Sequence, residues 1–334
     1  MRFVAWLCVG ALCLPGLARA EAAAEMKTYT ESIPGVEVTF DMVPIPGGKF
    51  VMGSPDSEPK RGKDEGPQHE VEIKPMWVGA CEVTWDEYDI FSLQMDITRR
   101  KQMVKAEPTT PTDKAADAVT RPTPSYTDMT FGKGRSHYPA TCITHHAAMV
   151  YTQWLSAKTG KTYRLLTEAE WEYACRAGSK TAYSFGDDPK ALDEYAWFKD
   201  NSKKSYKPVG QKKPNAWGLY DMHGNASEWV LDPYKPDAFA QFKDKLTIEP
   251  VLLPTDKEYP YVSKGGAWND EAKDCRSAVR LGSTDEYSIR DPQLPQSIWW
   301  HTDASNVGFR ICRPLEEVDA LKGFKSPIKS DSGR

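Results

Sequence analysis

The chain has 334 residues, 43 basic and 47 acidic side chains, and a mean hydropathy of −0.59. The acidic excess excludes a protein whose overall positive charge neutralises nucleic-acid phosphates, and the hydropathy excludes a polytopic membrane protein. Seven cysteines are too few for a disulfide scaffold.

The amino terminus has the pattern of an export signal. Arg2 precedes an apolar run over residues 3–17, and Ala18-Arg19-Ala20 follows it. A charged start, a short apolar stretch and small residues at a cleavage site predict a signal peptide over residues 1–20. Because the apolar run is too short for a membrane span, we expect a secreted or periplasmic protein that is not membrane-embedded and keeps five cysteines.

The rest of the chain shows no linker between two cores, although its length would allow two domains of about 150 residues each. Polar stretches lie at residues 21–39, 99–136 and 316–334. The first and last are typical of terminal segments, and the middle one predicts a long surface loop. We expect an N-terminal segment over 21–42, one domain over 43–314 and a C-terminal tail over 315–334.

Local patterns predict short strands and a few helices. In chain order, we expect two strands around the Pro-Gly-Gly turn at 46–48, a strand over 69–74, and helices over 84–91, 147–159 and 167–176, then turns and short strands. The last helix has the clearest signal, because Thr167 and Glu170 match a capping box and Gly178 follows the last turn. This mixture predicts an irregular α+β domain with little regular secondary structure.

Two adjacent histidines, His145 and His146, invite a metal-binding interpretation. Neighbouring side chains point in different directions on a strand or at the start of a helix. This divergence favours one packed histidine and one capping or exposed histidine over a metal-binding pair.

A glycine turn over residues 218–229 combines carboxylates with free carbonyls. Asp221 and Glu228 flank the carbonyls of Gly224 and Ala226, and Ca²⁺ prefers such a mixture of oxygen ligands. Spacing alone favours a turn whose acids are only solvated. Asn225 also begins a glycosylation sequon, although a glycan would conflict with a buried turn.

Four motifs in fixed order give the chain a family resemblance. They are RLLTEAEWEYACRAG at 164–178, NAWGLYDMHGN at 215–225, KGGAWND at 264–270 and NVGFR at 306–310. Together they resemble the formylglycine-generating enzymes, also called sulfatase-modifying factors, over residues 43–314. The resemblance implies a single domain with a C-type-lectin-like core and calcium bound by Asp221, Gly224, Ala226 and Glu228.

The resemblance also implies an oxidoreductase that acts on a peptide or protein. The founding members use O₂ and copper to oxidise a cysteine of a sulfatase to formylglycine, and other relatives act on a small metabolite. Their copper is held by two cysteines just after the Gly-Gly motif, because soft thiolates select Cu(I).

This sequence departs from the family at the copper-binding cysteines. Ala267, Trp268, Asn269 and Asp270 follow Gly265-Gly266, and the nearest cysteine is Cys275. The copper pair is therefore not matched. Cys175 lies in the helix that matches the family, and the resemblance therefore implies that Cys275 is either half of a Cys175–Cys275 disulfide or a packed thiol. The pairing of Cys81, Cys142 and Cys312 stays open.

Two functional hypotheses follow. The first is an exported enzyme that modifies a peptide, a protein such as a sulfatase, or a small metabolite oxidatively, with a groove formed by Trp268, Asn269, Asp270, Cys275, Arg280 and His301. The second is a non-catalytic, calcium-stabilised, lectin-like binding module. Its surface would combine residues 99–136, 291–296 and 299–303, with one of Trp299 and Trp300 in the core. Arg280 and Arg310 are equally compatible with substrate clamps and with buried partners of acidic residues.

Overall fold

The computed structural model describes residues 26–103 and 109–329. The strands are β1 (Tyr29–Ser32), β2 (Thr39–Ile45), β3 (Gly48–Met52), β4 (His69–Ile73), β5 (Met76–Gly79), β6 (Arg164–Leu165), β7 (Ser227–Pro233), β8 (Thr247–Ile248), β9 (Tyr261–Lys264), β10 (Leu281–Gly282), β11 (Val307–Phe309) and β12 (Ile311–Pro314). The α-helices are α1 (Trp85–Ser92), α2 (Met95–Gln102), α3 (Pro111–Asp117), α4 (His145–Thr159), α5 (Glu168–Arg176) and α6 (Leu192–Tyr195). The expected α+β class is confirmed.

The strands form three small sheets. The largest has the order β1-β2-β5-β12-β6, a second has the order β10-β9-β7-β11, and the third has the order β3-β4-β8. Strand β12 pairs with β5 so that Cys312 lies opposite Val78, which joins the end of the predicted domain to its beginning. Because β1 pairs with β2 from Tyr29 onward, this sheet begins before the expected boundary at residue 43.

The helices predicted from capping signals are present. Thr84 and Thr167 each form a capping box at the start of α1 and α5. Helix α4 begins at His145, two residues earlier than predicted, because the Thr144 side chain accepts a hydrogen bond from the Ala147 N–H and caps the helix there.

The surface loop predicted over residues 99–136 is partly wrong, because helices α2 and α3 cover 95–102 and 111–117. Both are held by ion pairs with distant residues. Asp113 binds Arg100 at 2.8 Å and Lys158 at 2.5 Å, and Lys158 is buried. This segment has the polar composition of a loop, but it is helical because the buried Lys158 of α4 binds its carboxylates.

The C-terminal tail is also held against the domain. Leu321 is buried, Glu317 accepts a hydrogen bond from Arg164 at 3.0 Å, and the Ser326 hydroxyl lies 2.7 Å from His146 Nδ1. These contacts differ from the free terminal segment that composition suggested.

The core is built largely from aromatic rings. Tyr88, Phe91, Tyr151, Trp154 and Phe309 contact one another with ring centroids 5.4–6.1 Å apart. Edge-to-face and tilted contacts of this kind stabilise a core beyond simple area burial. Large rings therefore fill the interior of a domain with short strands. Among the described residues, no helix combines the length and apolar character needed to cross a bilayer.

Candidate functional site

A tight turn after strand β9 forms the centre of the site. Gly265 and Gly266 adopt φ angles of +91° and +69°, which favour glycine. A Cβ on Gly266 would lie 2.8 Å from both the Asp274 carbonyl and Cys275 Sγ. The turn therefore lies directly against the short 3₁₀ helix Ala272–Cys275 and tolerates no side chain at this position.

The turn presents three of the predicted groove residues together. The Trp268 N–H donates to the Asn225 carbonyl at 2.9 Å, and the Ala267 N–H donates to the Asp270 carboxylate at 2.8 Å. These bonds leave the Trp268 ring half-buried and Asn269 exposed. Burial raises the pKa of the Asp270 carboxyl to about 6, so it exchanges a proton near neutral pH.

A lysine from the long polar excursion completes this face. Lys133 Nζ lies 3.9 Å from the centre of the Trp268 ring and donates to the Lys204 carbonyl at 3.3 Å. A cation over an indole ring is an attractive contact, and burial lowers the pKa of Lys133. Sequence reasoning missed Lys133, because nothing local indicates that residue 133 reaches Trp268.

A cleft of about 500 Å³ opens beside the same turn. Tyr183 and Ala272 contribute apolar surface, and Lys199, Glu271 and Lys273 contribute charges. The Lys199 N–H donates to the Asp270 carbonyl at 3.0 Å, so the cleft adjoins the turn. Its volume falls in the range of small-molecule and side-chain pockets.

Two predicted groove residues lie inside the protein instead. The Arg280 guanidinium binds both carboxylate oxygens of Glu168 at 2.6 and 2.9 Å and is buried. His301 is 1% exposed, its Nδ1 lies 2.9 Å from the Ser288 hydroxyl, and burial lowers its pKa to about 3. The buried-partner interpretation of Arg280 is the one that the structure supports, and His301 is a neutral core residue.

The cysteines form no disulfide among the described residues. All five, Cys81, Cys142, Cys175, Cys275 and Cys312, are free thiols. The candidate Cys175–Cys275 disulfide is therefore wrong, and both residues are packed thiols. Cys175 Sγ donates to the Ser277 hydroxyl at 3.6 Å, and burial raises the pKa of both thiols.

This arrangement does not fit a copper–thiolate centre at the turn. Residues 265–270 contain no cysteine, and Cys275 is fully buried behind Gly266. A thiol with a raised pKa is not the thiolate that binds Cu(I). Within residues 26–103 and 109–329, no group of three or more His, Cys, Asp and Glu side chains is arranged to hold a metal ion.

The turn proposed for calcium lies directly against the first one. The Gly224 N–H donates to the Gly265 carbonyl at 2.8 Å. Glu228 is fully engaged, since Arg310 donates to both of its oxygens at 2.7–3.1 Å and the Trp171 indole donates at 2.7 Å. Arg310 is thus a buried partner of an acid, and Glu228 would have to give up these bonds to become a ligand.

Within the described part of the chain, one carboxylate of this turn and one from the segment before α1 each keep an oxygen that accepts no hydrogen bond from a donor group. They are Asp221 Oδ1 and Glu82 Oε2, and both side chains are buried. Burial raises the pKa of Asp221 to about 6, and burial together with the Asp221 charge raises that of Glu82. An oxygen-rich site with unsatisfied acceptors suits a hard cation, so Asp221 fits the calcium expectation and Glu82 is the carboxylate that sequence analysis missed.

The remaining sequence candidates have structural roles. His145 stacks on Tyr261 at 3.7 Å, and both His145 and His146 are buried, so they are not a metal pair. Asn225 is fully buried and donates to Glu82 at 3.0 Å, which removes it as a glycan acceptor. Trp299 and Trp300 are both buried, whereas only one was expected in the core.

The comparisons with known proteins agree with the motif order. Residues 31–293 match the family described as "Sulfatase-modifying factor enzyme 1-like domain". The chain is 28% identical to the formylglycine-generating enzyme of Bos taurus, covering 89% of this chain and 82% of that protein. It is also 28% identical to that of Streptomyces coelicolor, covering 83% and 90%.

Solved structures give the same result. PvdO from Pseudomonas aeruginosa is 28% identical, with a TM-score of 0.60 over 86% of this chain and 98% of that chain. Treponema denticola variable protein 1 is 20% identical, with a TM-score of 0.60 over 86% and 99%, which shows the shared fold. The chain belongs to the sulfatase-modifying factor family, the family of the formylglycine-generating enzymes.

Proposed function

We propose that the protein binds an extended segment of a protein substrate on the face formed by Lys133, Trp268, Asn269 and Asp270. The observation that carries the proposal is the half-buried Trp268 ring, which is fixed by a glycine turn and covered on one side by Lys133. Rigid aromatic side chains with a polar surround are typical anchors for peptide recognition. The matching family is described as sulfatase-modifying, which supports a protein as the substrate.

The buried cysteines support a reaction that differs from copper-dependent formylglycine formation. Cys275 has no access to the groove, because Gly266 and the Asp274 carbonyl lie in front of it. A member of the family without the thiol pair therefore acts through other groups or binds without chemistry.

A second candidate is oxidative modification of the bound segment, in which O₂ takes up two electrons and two protons from the segment to give H₂O₂, and Asp270 favours it as the group that first accepts a proton. Its carboxyl has a pKa of about 6 and lies two residues from Trp268. A carboxyl that changes charge near the working pH is suited to take a proton from a bound side chain. In this version Trp268 and Asn269 orient the segment, and Asp270 accepts its proton.

Export and calcium complete the proposal. The signal pattern over residues 1–20, which lies outside the described residues, supports secretion or release into the periplasm. Calcium would be held by the Asp221 and Glu82 carboxylates with the carbonyls of Gly224 and Ala226, and Glu228 would help only if released from Arg310. Bound calcium would stabilise the two turns that carry the site.

Peptide binding tests the central claim. A fluorescein-labelled peptide with a sulfatase cysteine motif should bind the purified protein saturably in an anisotropy titration. Trp268→Ala should weaken binding at least about tenfold, because the main apolar anchor is lost. Trp77→Ala is the matched control, since Trp77 is half-buried against Tyr29 and Arg313 elsewhere on the chain. Equal effects of the two variants would contradict the proposed face.

The same peptide separates binding from chemistry. With Cu(I) and O₂, we expect no formylglycine in the mass spectrum of the peptide. Aldehyde formation that survives Cys275→Ser would show that the turn supports the founding reaction without the thiol pair. Another oxidised product that is lost in Asp270→Asn but retained in Asp274→Asn would favour the second candidate.

A further inference from the structure

One loop concentrates positive charge in a chain with an acidic excess. Residues 199–213 contain six lysines and a single acidic residue, Asp200. Lys133 joins them in space through its hydrogen bond to the Lys204 carbonyl. The loop therefore lies beside the Lys133–Trp268 contact of the proposed binding face.

Most of these lysines have no acidic partner. Lys199 pairs with Glu271 at 3.2 Å, and Lys213 pairs with Glu194. Within the described residues, no carboxylate lies within ion-pair distance of the other five, which are Lys133, Lys203, Lys204, Lys207 and Lys212. We name these five residues the lysine surface.

The backbone of this loop is braced. The Ser202 hydroxyl is buried and accepts from the Lys204 N–H at 3.2 Å, and the buried Tyr206 hydroxyl donates to the Thr130 carbonyl at 3.2 Å. The Lys207 N–H donates to the Asn225 side chain at 2.9 Å. A binding surface that is already ordered loses little entropy when a partner arrives.

Two of the lysines also lie over an aromatic ring. Lys212 Nζ is 4.1 Å and Lys207 Nζ is 6.0 Å from the centre of the Trp197 ring. Together with Lys133 over Trp268, three of the five cations are held above indole rings. The indole rings therefore fix the positions of these three ammonium groups, and no carboxylate among the described residues forms an ion pair with them.

We propose that the lysine surface docks an acidic stretch of the protein substrate whose neighbouring segment occupies the Trp268 face. This inference rests on the proposed function and adds the chemistry of the partner, namely clustered aspartate and glutamate side chains. Complementary charge raises the rate of encounter and fixes the direction of the bound segment.

The composition of the surface favours an acidic protein over a polyphosphate. Residues 197–213 contain no arginine, the side chain that binds phosphate through two parallel hydrogen bonds. Carboxylates of Asp193, Glu194 and Asp200 lie along the same loop region. A continuous phosphate backbone would be repelled by these carboxylates, whereas a short acidic peptide can bind the lysines without lying beside them.

Association kinetics test the proposal. The probe is a fluorescein-labelled peptide with an Asp/Glu-rich stretch beside an aromatic segment, and its control replaces each acid with the corresponding amide. At low salt the acidic peptide should associate roughly tenfold faster than its amide control, and the difference should shrink strongly at about 0.5 M salt, where charges are screened. Equal rates for the two peptides would overturn the proposal.

A pair of matched variants locates the effect. Lys203→Gln with Lys204→Gln should slow association of the acidic peptide about three- to tenfold at low salt and leave the amide control unchanged. Lys243→Gln with Lys245→Gln removes the same charge from two exposed lysines outside the surface and should have little effect. Equal slowing by both pairs would mean that only net charge matters, which would overturn the docking surface.

Two further measurements distinguish the competing outcomes. Tighter binding of a duplex oligonucleotide or of phosphatidylglycerol vesicles, with the same dependence on Lys203 and Lys204, would replace the acidic protein by a phosphate partner and overturn the proposal. Loss of binding in Trp268→Ala without any lysine effect would leave the proposed function standing and remove only this inference. A lysine effect without a Trp268 effect would overturn the proposed function and the placement of the neighbouring segment on the Trp268 face, and only the docking of acidic side chains on the lysine surface would remain.

Discussion

The two adjacent glycine turns use similar backbone conformations in opposite ways. In the turn over 265–270, the polar groups are bonded within the protein, and Trp268 and Asn269 extend to the surface. In the turn over 221–228, the side chains are buried. Asp221 of this turn and Glu82 from the segment before α1 each keep an oxygen to which no donor group among the described residues is bonded. The first turn is built to present side chains, and the second holds charge that a proton or a cation must compensate.

The two turns are also joined by backbone hydrogen bonds, which link the buried turn to the one that presents Trp268. The Gly224 N–H bonds to the Gly265 carbonyl, and the Trp268 N–H bonds to the Asn225 carbonyl. Any change in the buried turn is therefore transmitted to the backbone that positions Trp268. This coupling can be broken at three levels.

The largest effect is expected for the buried ion pair that supports the second turn. Arg310→Ala should lower the free energy of unfolding by about 3–5 kcal/mol, because it leaves the buried Glu228 carboxylate without its partner. Chemical denaturation measures this loss. Arg313→Ala is the control, since Arg313 is half-buried in the adjoining strand β12 and its guanidinium lies over the Tyr29 and Trp77 rings, and this variant should cost less than about 1 kcal/mol.

A small loss in Arg310→Ala would change the comparison itself. It would mean that Glu228 finds another partner readily and is free to bind calcium. A stronger calcium response in this variant than in the wild type would then assign Glu228 as a ligand, contrary to the arrangement seen here.

The next largest effect is expected for Gly224 in the second turn, where a new side chain would meet both backbone strain and a close neighbour. Gly224 has φ +85°, and a Cβ there would lie 2.4 Å from the Trp197 carbonyl oxygen. Gly224→Ala should therefore cost about 2–4 kcal/mol, from strain and from the forced shift of a neighbouring backbone. Gly218→Ala is the matched control, because Gly218 has φ +89° but nothing within 4 Å of its added Cβ, and it should cost only about 1 kcal/mol.

Peptide binding should follow the same order. Gly224→Ala should weaken binding to the Trp268 face even where the protein is still folded, because Gly224 supports the Gly265 carbonyl. Equal stability losses for the two glycine variants, or normal peptide binding by folded Gly224→Ala, would show that the turns act independently.

The part of this site that the sequence predicted is the part with local signals. Thr167 and Glu170 lie three residues apart and predict helix α5, and the glycines of residues 218–229 predict the turn that contains Asp221, so both are recognisable in the chain. Glu82 and Lys133 could not be assigned in this way. Each reaches the site from a distant segment, and only the packing of the sheets brings Glu82 to Asn225 and Lys133 to Trp268.

The same reasoning explains the errors. Arg280 and His301 have residue types that suit a reactive groove, but their burial depends on Glu168 and Ser288, which nothing near them in sequence indicates. Helices α2 and α3 were missed because Lys158 stabilises them from α4. The role of a polar residue depends on the groups that its side chain contacts, and the fold determines those contacts.

The smallest effect concerns the unsatisfied carboxylates of the second turn. Burial raises the pKa of Asp221 from an ordinary 3.8 to about 6, so the folded protein keeps a proton that the unfolded chain releases at lower pH. The stability linked to this proton is present below about pH 4 and is lost as pH rises through about 6. Without calcium, Asp221→Asn should therefore be more stable than the wild type at pH 8, by about 1–3 kcal/mol.

Calcium should reverse that order. Under the proposed assignment calcium binds the ionised Asp221, so it should raise the melting temperature of the wild type at pH 8 by several degrees, whereas Asp221→Asn should not respond. Asp270→Asn is the matched control, because Asp270 has a pKa of about 6 but belongs to the first turn, so this variant should keep the calcium response. A wild-type melting temperature that does not change on adding a chelator would exclude calcium from the second turn. The buried charge there would then be compensated by a proton alone, and the two turns would no longer differ in metal binding.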